Sequence, residues 1–268
     1  MNIWQIEITN ECNFSCNYCP RTENLAENKP GMLRKTGTMS HATIDRIADI
    51  CTSKWIRLHQ FGESLLKPDM CVYAIEKFKA NDIKVGINTN GSAATLKNVL
   101  KVFDAGLDEM VISWHPIDKR VNKKEASSEM HLQKLLDQLP QTYLDKMHMI
   151  RVVPKDELDL IPVVQAEMQP YKDQGLRSMI KRERNLGHVY GEQSKEPPKY
   201  CSFLAEPEFA VLWDGTIVSC CEVYDFNKGG IFGNVHDDVL PVKNTGCDIC
   251  AGCEGYGGNN METEKFDW

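Results

Sequence analysis

Three cysteines near the start of the chain, Cys12, Cys16 and Cys19, stand in a C-x3-C-x2-C spacing within Glu11-Cys-Asn-Phe-Ser-Cys-Asn-Tyr-Cys-Pro20. Their thiolates bind iron or zinc. An iron–sulfur cubane normally takes four cysteines, and a structural zinc site also closes with four ligands, usually from paired C-x2-C units. Three close thiolates with no fourth Cys or His nearby leave one iron open to a small molecule, whereas a zinc knuckle is the competing assignment. A second group follows in the tail: Cys201, Cys220, Cys221, Cys247, Cys250 and Cys253, with two overlapping C-x2-C pairs at 247–250 and 250–253. Four of these would close another cubane, and zinc with four cysteines competes on ligand count. Cys51 and Cys71 fall in helical patterns and read as small buried apolar residues.

These thiols need elements to hold them. The first 180 residues alternate short β-branched runs with segments of helical period, which argues for βα units and a parallel sheet. Strands are predicted at 3–8, 55–60, 83–87, 109–113, 149–153 and 176–180, and helices at 41–52, 70–80, 94–105, 128–138 and 161–171. Ser40 is the expected cap of the first helix, with Asp45 in its early turns. Six βα units are fewer than the eight of a closed barrel. Residues 193–199, Gln-Ser-Lys-Glu-Pro-Pro-Lys, read as a linker. Beyond it, strands at 209–213 and 216–220 flank Asp214-Gly215, a hairpin signal, and a Gly- and Cys-rich stretch follows. The expected division is a barrel over 1–192, a linker over 193–200 and a small hairpin and cysteine-rich domain over 201–268.

In an open α/β architecture the ligand sits at the carboxyl ends of the strands, and polar signals cluster there. Strand two runs into His59-Gln-Phe-Gly62-Glu63-Ser64, strand three into Asn88-Thr89-Asn90-Gly91, and strand four into Ser113-Trp114-His115. Each alone is an ordinary loop or turn; three at successive strand ends, downstream of the cysteine motif, form a specific set. A glycine such as Gly62 lets backbone approach a ligand, and the Glu63 carboxylate can accept from an ammonium group. Arg151 lies inside strand five, where burial is costly without a partner, so a carboxylate facing it across the cavity is expected. Lys181, Arg182 and Arg184 at the end of strand six are either an anion site or a solvated charged face. His59 and His115 near the cavity mouth are candidate general bases, with a structural histidine as the alternative for each.

The C-x3-C-x2-C motif, with Tyr18 before its last cysteine and the rim motifs behind it, resembles the radical SAM superfamily over most of residues 3–180. The resemblance implies a partial (β/α)6 TIM-like barrel. It also implies a [4Fe-4S] cluster on Cys12, Cys16 and Cys19, whose open iron chelates S-adenosylmethionine and cleaves it to a 5′-deoxyadenosyl radical. Gly62-Glu63 matches the family's Gly-Gly-Glu motif in part, Phe61 replacing the first glycine and Ser64 the frequent proline. Asn88 and Asn90 belong to a segment similar to its Thr-Asn-Gly. Ser113 aligns with a serine that contacts the cofactor's ribose or carboxylate. The string from Phe209 to Glu222, followed by Gly230-Ile-Phe-Gly-Asn-Val235, resembles the twitch and SPASM extensions of the same superfamily. Too few cysteines are present for two auxiliary clusters, so the one-cluster twitch form is expected. The implied ligands of this second [4Fe-4S] cluster are Cys201, Cys220, Cys250 and Cys253, with Cys247 the main rival and Cys221 a weaker one.

On that basis the expected activity is oxidation of a small polar metabolite: hydrogen abstraction, deprotonation of the substrate radical, and loss of the second electron to the auxiliary cluster. A flavodoxin- or ferredoxin-type protein is the expected electron donor. Modification of a peptide or a nucleotide base is the alternative. The start of the chain at strand one, without an appended leader-binding domain, favours the small molecule. A non-enzymatic iron–sulfur or zinc protein is the reading from another class, and the rim motifs argue against it.

Composition bounds these readings. The 268 residues are 42% hydrophobic and 26% charged, with net charge −7 and 11 cysteines, ordinary for a globular protein apart from the cysteines. No apolar run approaches the ~20 residues that span a bilayer, and the N-terminus is a strand pattern, not a signal peptide. So many cysteines without a secretion signal indicate metal or redox chemistry in the cytoplasm. Residues 201–268 hold 12 Asp/Glu against 3 Lys/Arg. Neither part has the dense basic face that grips a nucleic-acid backbone, which disfavours a polymeric nucleic-acid partner.

Overall fold

The computed structural model describes residues 1–16, 19, 21–22, 34–114, 129–153, 157–182, 200–223, 226, 229–248, 250 and 253. The strands are β1 (Asn2–Ile6), β2 (Trp55–Leu58), β3 (Lys84–Thr89), β4 (Glu109–Ser113), β5 (Met147–Val153), β6 (Arg177–Arg182), β7 (Glu208–Val211), β8 (Thr216–Val218) and β9 (Ile231–Asn234). The helices are α1 (His41–Ile50), α2 (Pro68–Lys79), α3 (Leu96–Asp104), α4 (Glu129–Leu136), α5 (Gln141–Leu144), α6 (Ile161–Asp173) and α7 (Ser202–Ala205).

All nine strands form one open sheet in the order β6-β5-β4-β3-β2-β1-β7-β8-β9. Neighbours from β6 to β7 pair in parallel, and β7, β8 and β9 are antiparallel. The expected partial α/β barrel is therefore present and the sheet does not close. The cysteine-rich region returns to that sheet: β7 lies parallel to β1, in register Ile3↔Phe209 and Ile6↔Val211. Of the expected linker, only Tyr200 falls among the described residues.

Helix faces explain the packing. Cys71, Ala74, Ile75 and Phe78 of α2 are buried at i, i+3, i+4 and i+7, the stripe that turns one helical face inward. The Ser40 hydroxyl caps α1 by accepting from the Thr43 amide at 3.1 Å. These helices cover one face of the sheet, where Ile56, Leu58, Val85, Ile87, Met110, Ile112, Met147 and Met149 are buried. Side chains alternate along a strand. Arg57, Asn88, Glu109, Ser113 and His148 therefore lie on the opposite, interior face.

Strand boundaries depart from expectation for local reasons. β1 stops at Ile6, two residues early: Glu7 still donates to the Val211 carbonyl of β7, but the Ile8 carbonyl turns away to accept from Met39. β5 starts two residues earlier than expected, at Met147, where Met110 donates to the Lys146 carbonyl. The Asp214-Gly215 turn forms as expected. Gly215 has φ +86°, a left-handed conformation that favours glycine, and the Asn234 amide bonds the Asp214 carbonyl at 3.0 Å. Cys51 caps α1 and does not lie within it.

Candidate active site

Cys12, Cys16 and Cys19 occupy the loop that leaves the carboxyl end of β1. Cys19 donates its amide to the Cys16 carbonyl at 3.0 Å, closing the C-x2-C turn. The Phe14 amide points at the Cys12 sulfur at 3.4 Å. Arg21 donates to the Cys12 and Phe14 carbonyls at 3.1 and 2.7 Å. Burial pushes the Cys12 thiol above its ordinary value, opposed by the Phe14 amide and the Arg21 charge and reinforced by Glu63 and Cys19. Partly desolvated thiols arranged together suit a soft cationic metal centre, whose binding displaces their protons. Among the described residues, no three His, Cys, Asp or Glu side chains close around a single ion.

The loop after β2 presses against this cysteine loop. A Cβ on Gly62 would stand 2.0 Å from the Thr9 carbonyl oxygen and 2.7 Å from that of Glu11. The glycine is thus required by chain-on-chain contact, in addition to any ligand. Glu63 is 2% exposed. Its amide donates to the Glu11 carbonyl at 2.8 Å. Its carboxylate accepts from the Leu65 amide (3.0 Å), the Thr89 hydroxyl (2.8 Å) and the Asn90 amide (2.7 Å). Burial pushes its pKa up, against those three hydrogen bonds. The Glu63 carboxylate thus holds the end of β3 to the loop after β2, and the Glu63 amide holds that loop to the cysteine loop.

Asn90 stands on the rim as expected, its side-chain amide 3.7 Å from the Cys12 sulfur and 3.2 Å from Asn13 Oδ1. Ser92 joins that group, 2.8 Å from Asn13 Nδ2. Asn88 sits deeper, where its Oδ1 accepts from Arg57 at 2.7 Å. Ser113 ends β4, half-buried on the interior face. His59 follows β2 on that face, and burial, then the nearby Arg57 charge, lowers its pKa to about 4. Its Nδ1 is buried without a hydrogen-bond partner. Tyr18, His115 and Arg184 lie outside the described residues, as does the Arg182 side chain.

Arg151 is the fifth residue of β5. It shares a face with Met149 and Val153, the helix-covered side, because strand side chains alternate. There it is 9% exposed and donates to the Trp114 carbonyl at 3.2 Å. It does not line the interior.

Sequence reasoning missed a buried ion pair on the other side of the sheet. Arg34 donates both terminal nitrogens to Glu7, at 2.8 and 2.9 Å. Its guanidinium lies over Phe61 and Phe226 at 5.7 and 5.6 Å. Phe61 thus gives Arg34 an aromatic floor. Arg34 sits in a loop with no periodic signal, so nothing in the pattern marks it. Arg57, Glu109 and His148 were more visible, as polar residues at interior positions of otherwise apolar strands.

In the tail, the thiols of Cys220, Cys247, Cys250 and Cys253 come together. The Cys247 amide points at the Cys250 sulfur at 3.4 Å. Burial, and then Glu222, raises Cys220, with further contributions from Cys247 and Cys253. The Cys247 thiol raises Cys250. Cys201 begins α7, whose Leu204 packs beside Gly246 next to Cys250. A bridge links this group to the rim: Gln60 accepts from Gln5 at 3.1 Å and donates to the Cys221 carbonyl at 3.3 Å.

A family model for the radical SAM superfamily matches residues 6–151, and the chain belongs to that superfamily. Its members use a [4Fe-4S] cluster and S-adenosylmethionine, and the desolvated N-terminal thiols fit that cluster. Among curated proteins, the GTP 3′,8-cyclase of Staphylococcus carnosus is 23% identical over 70% of this chain and 55% of its own length. A probable GTP 3′,8-cyclase of Pyrococcus abyssi is 31% identical over 44% of this chain and 36% of its own length. The chain spans about half or less of these relatives. Among solved structures, BtrN in complex with AdoMet and 2-DOIA superposes with TM-score 0.56 at 17% identity, covering 95% of this chain and 93% of BtrN. Native anSMEcpe with bound AdoMet gives 0.61 at 14% identity, covering 88% and 79%. Streptococcus suis SuiB bound to S-adenosylmethionine gives 0.60 at 13%, covering 94% and 72%. At these identities the likeness is one of fold. No helix among the described residues is long and apolar enough to cross a membrane.

Proposed function

We propose that the chain is a radical SAM oxidoreductase that removes a hydrogen atom, a proton and an electron from a small polar metabolite. The observation that carries this reading is the second thiol group, Cys220, Cys247, Cys250 and Cys253, tied through the Cys221 carbonyl and Gln60 to the loop beside Cys12. A second [4Fe-4S] cluster on those thiols would provide an outlet for the electron. The bound S-adenosylmethionine supplies the 5′-deoxyadenosyl radical. The chain's own residues do the rest: Cys12, Cys16 and Cys19 hold the cluster, while Asn90 and Ser113 offer polar contacts at the rim. His59, neutral and facing the interior, takes the proton. The full-length likeness to BtrN in complex with a small molecule supports a small substrate.

A second reading, redox-neutral modification of a nucleotide, is favoured by the matches to proteins named GTP 3′,8-cyclase. Incubating reconstituted protein anaerobically with S-adenosylmethionine, reduced flavodoxin and a panel of amino sugars, polyols and nucleotides separates them. Oxidation predicts 5′-deoxyadenosine in step with a product two hydrogens lighter. A product isomeric with its substrate overturns oxidation in favour of the second reading.

A further inference from the structure

Residues 34–39 run between the segment that enters the cysteine loop and the tail. On the first side, the Thr9 hydroxyl donates to the Gly37 carbonyl at 2.7 Å and Asn10 Nδ2 to the Lys35 carbonyl at 2.8 Å. The Gly37 amide returns a bond to Asn10 Oδ1 at 2.8 Å. Thr9 and Asn10 are each 1% exposed, so little water competes for these bonds. The loop after β2 grips the same stretch from another direction, through Gly62 against the Thr9 and Glu11 carbonyls and through the Glu63 amide. Cys12 is the next residue along the chain.

On the second side the segment meets the tail. A Cβ on Gly37 would lie 2.5 Å from both Cη2 and Cζ3 of Trp213 and 2.6 Å from its Cε2. Three ring atoms at nearly one distance mean that the indole lies face-on against the bare glycine. Trp213 has little room to retreat. Its amide lies 3.4 Å from Glu7 Oε2, and the hairpin around it is tied by Leu212 to the Thr216 carbonyl and by Gly215 to the Leu212 carbonyl, both at 2.9 Å. The indole Nε1 is buried with no hydrogen-bond partner among the described residues, so packing holds the ring. Arg34, at the start of the segment, pairs with Glu7 and lies over Phe226, which packs on the same buried cluster as Cys220 and Cys247.

A ligand held jointly by a cluster on the cysteine loop and by rim groups on other strands needs that loop fixed to within about 0.5 Å. We propose that residues 34–39 are a strap through which the tail hairpin positions the cysteine loop, making Gly37 and Trp213 positioning residues for S-adenosylmethionine binding. The inference rests on the proposed ligation of the first cluster by Cys12, Cys16 and Cys19, and not on the oxidation.

The test titrates the reduced, reconstituted full chain with S-adenosylmethionine and follows the change in the electron paramagnetic resonance signal of the cluster. Gly37→Ala, which drives the indole off the strap, should raise the half-saturating concentration at least about tenfold. Trp213→Leu should raise it too. The double variant should bind no more weakly than Trp213→Leu alone, because the added methyl then has room. Trp4→Leu loosens a different contact between tail and sheet, the edge-on packing on Phe203 at 5.2 Å, and should titrate as wild type. Wild-type titration by both strap variants overturns the proposal. So do losses that multiply in the double variant, or an equal loss in Trp4→Leu. Circular dichroism checks that each variant folds, and Trp213→Leu carries the test if Gly37→Ala does not. The Cys12→Ala/Cys16→Ala/Cys19→Ala variant should lose the signal change altogether. Its persistence there removes the proposed ligation, whereas its loss there with wild-type strap variants removes this inference alone.

Discussion

The Glu63 carboxylate accepts the Asn90 main-chain amide at 2.7 Å while the Glu63 amide donates to the Glu11 carbonyl at 2.8 Å. One residue therefore locks the loop after β2 to both the end of β3 and the cysteine loop. Glu63→Ala leaves the Leu65 amide, the Thr89 hydroxyl and the Asn90 amide without their partner. Unsatisfied buried groups each cost about 1–3 kcal/mol, partly relieved by entering water. The expected loss is about 3 kcal/mol in urea unfolding, with Glu63→Gln losing less than half of that. Equal losses in the two variants would show that the carboxylate acts by bulk and not by hydrogen bonding.

Arg34 and Glu7 form a buried pair, with side chains 7% and 0% exposed. Removing one partner strands a buried charge, which costs about 3–5 kcal/mol. Arg34→Met and Glu7→Gln should each lose that much, while the double variant recovers at least half of the summed loss. A double-mutant cycle measures the coupling. Additive losses would mean that Arg34 contributes by its contacts with Phe61 and Phe226 alone.

Gly62→Ala places a methyl 2.0 Å from the Thr9 carbonyl oxygen, with backbone on the other side. The cysteine loop and the loop after β2 must separate. The variant should lose at least 2 kcal/mol of stability, on the scale of overpacking in a tight core, and bind S-adenosylmethionine at least tenfold more weakly by equilibrium dialysis. Wild-type stability and binding would show that the loops part without cost.

His59 has a folded pKa of about 4, below the ~6.5 of a free histidine. Between those values the unfolded chain binds the proton and the folded chain does not, so the group's stabilising contribution is complete above pH 6.5 and is lost as pH falls toward 4. From pH 7 to 5 the wild type should lose about 1–2 kcal/mol more unfolding free energy than His59→Gln. Parallel stability curves for the two proteins would place His59 in water.

Much of this architecture was legible because the helical stripes and β-branched runs are local signals. The βα alternation, the capping at Ser40 and the Asp214-Gly215 turn all sit where the pattern puts them. Strand ends were less legible, since β1 stops where residues 7–9 turn to partners more than 25 positions away. The cysteines and rim motifs were visible by type and spacing, but what each side chain touches was not. Glu63 faces donors from two other segments, and Arg151 lies on the helix side by a parity that depends on where β5 begins. Arg34 had no signal at all, because its partner Glu7 belongs to another part of the chain.

The central claim is that two separate thiol groups each hold an iron–sulfur cluster. Iron and sulfide content after anaerobic reconstitution tests it, comparing wild type with a Cys12→Ala/Cys16→Ala/Cys19→Ala variant. Two cubanes predict about eight irons in wild type and about four in the variant. About four irons in wild type and none in the variant would contradict a second cluster, and with it electron export through the tail.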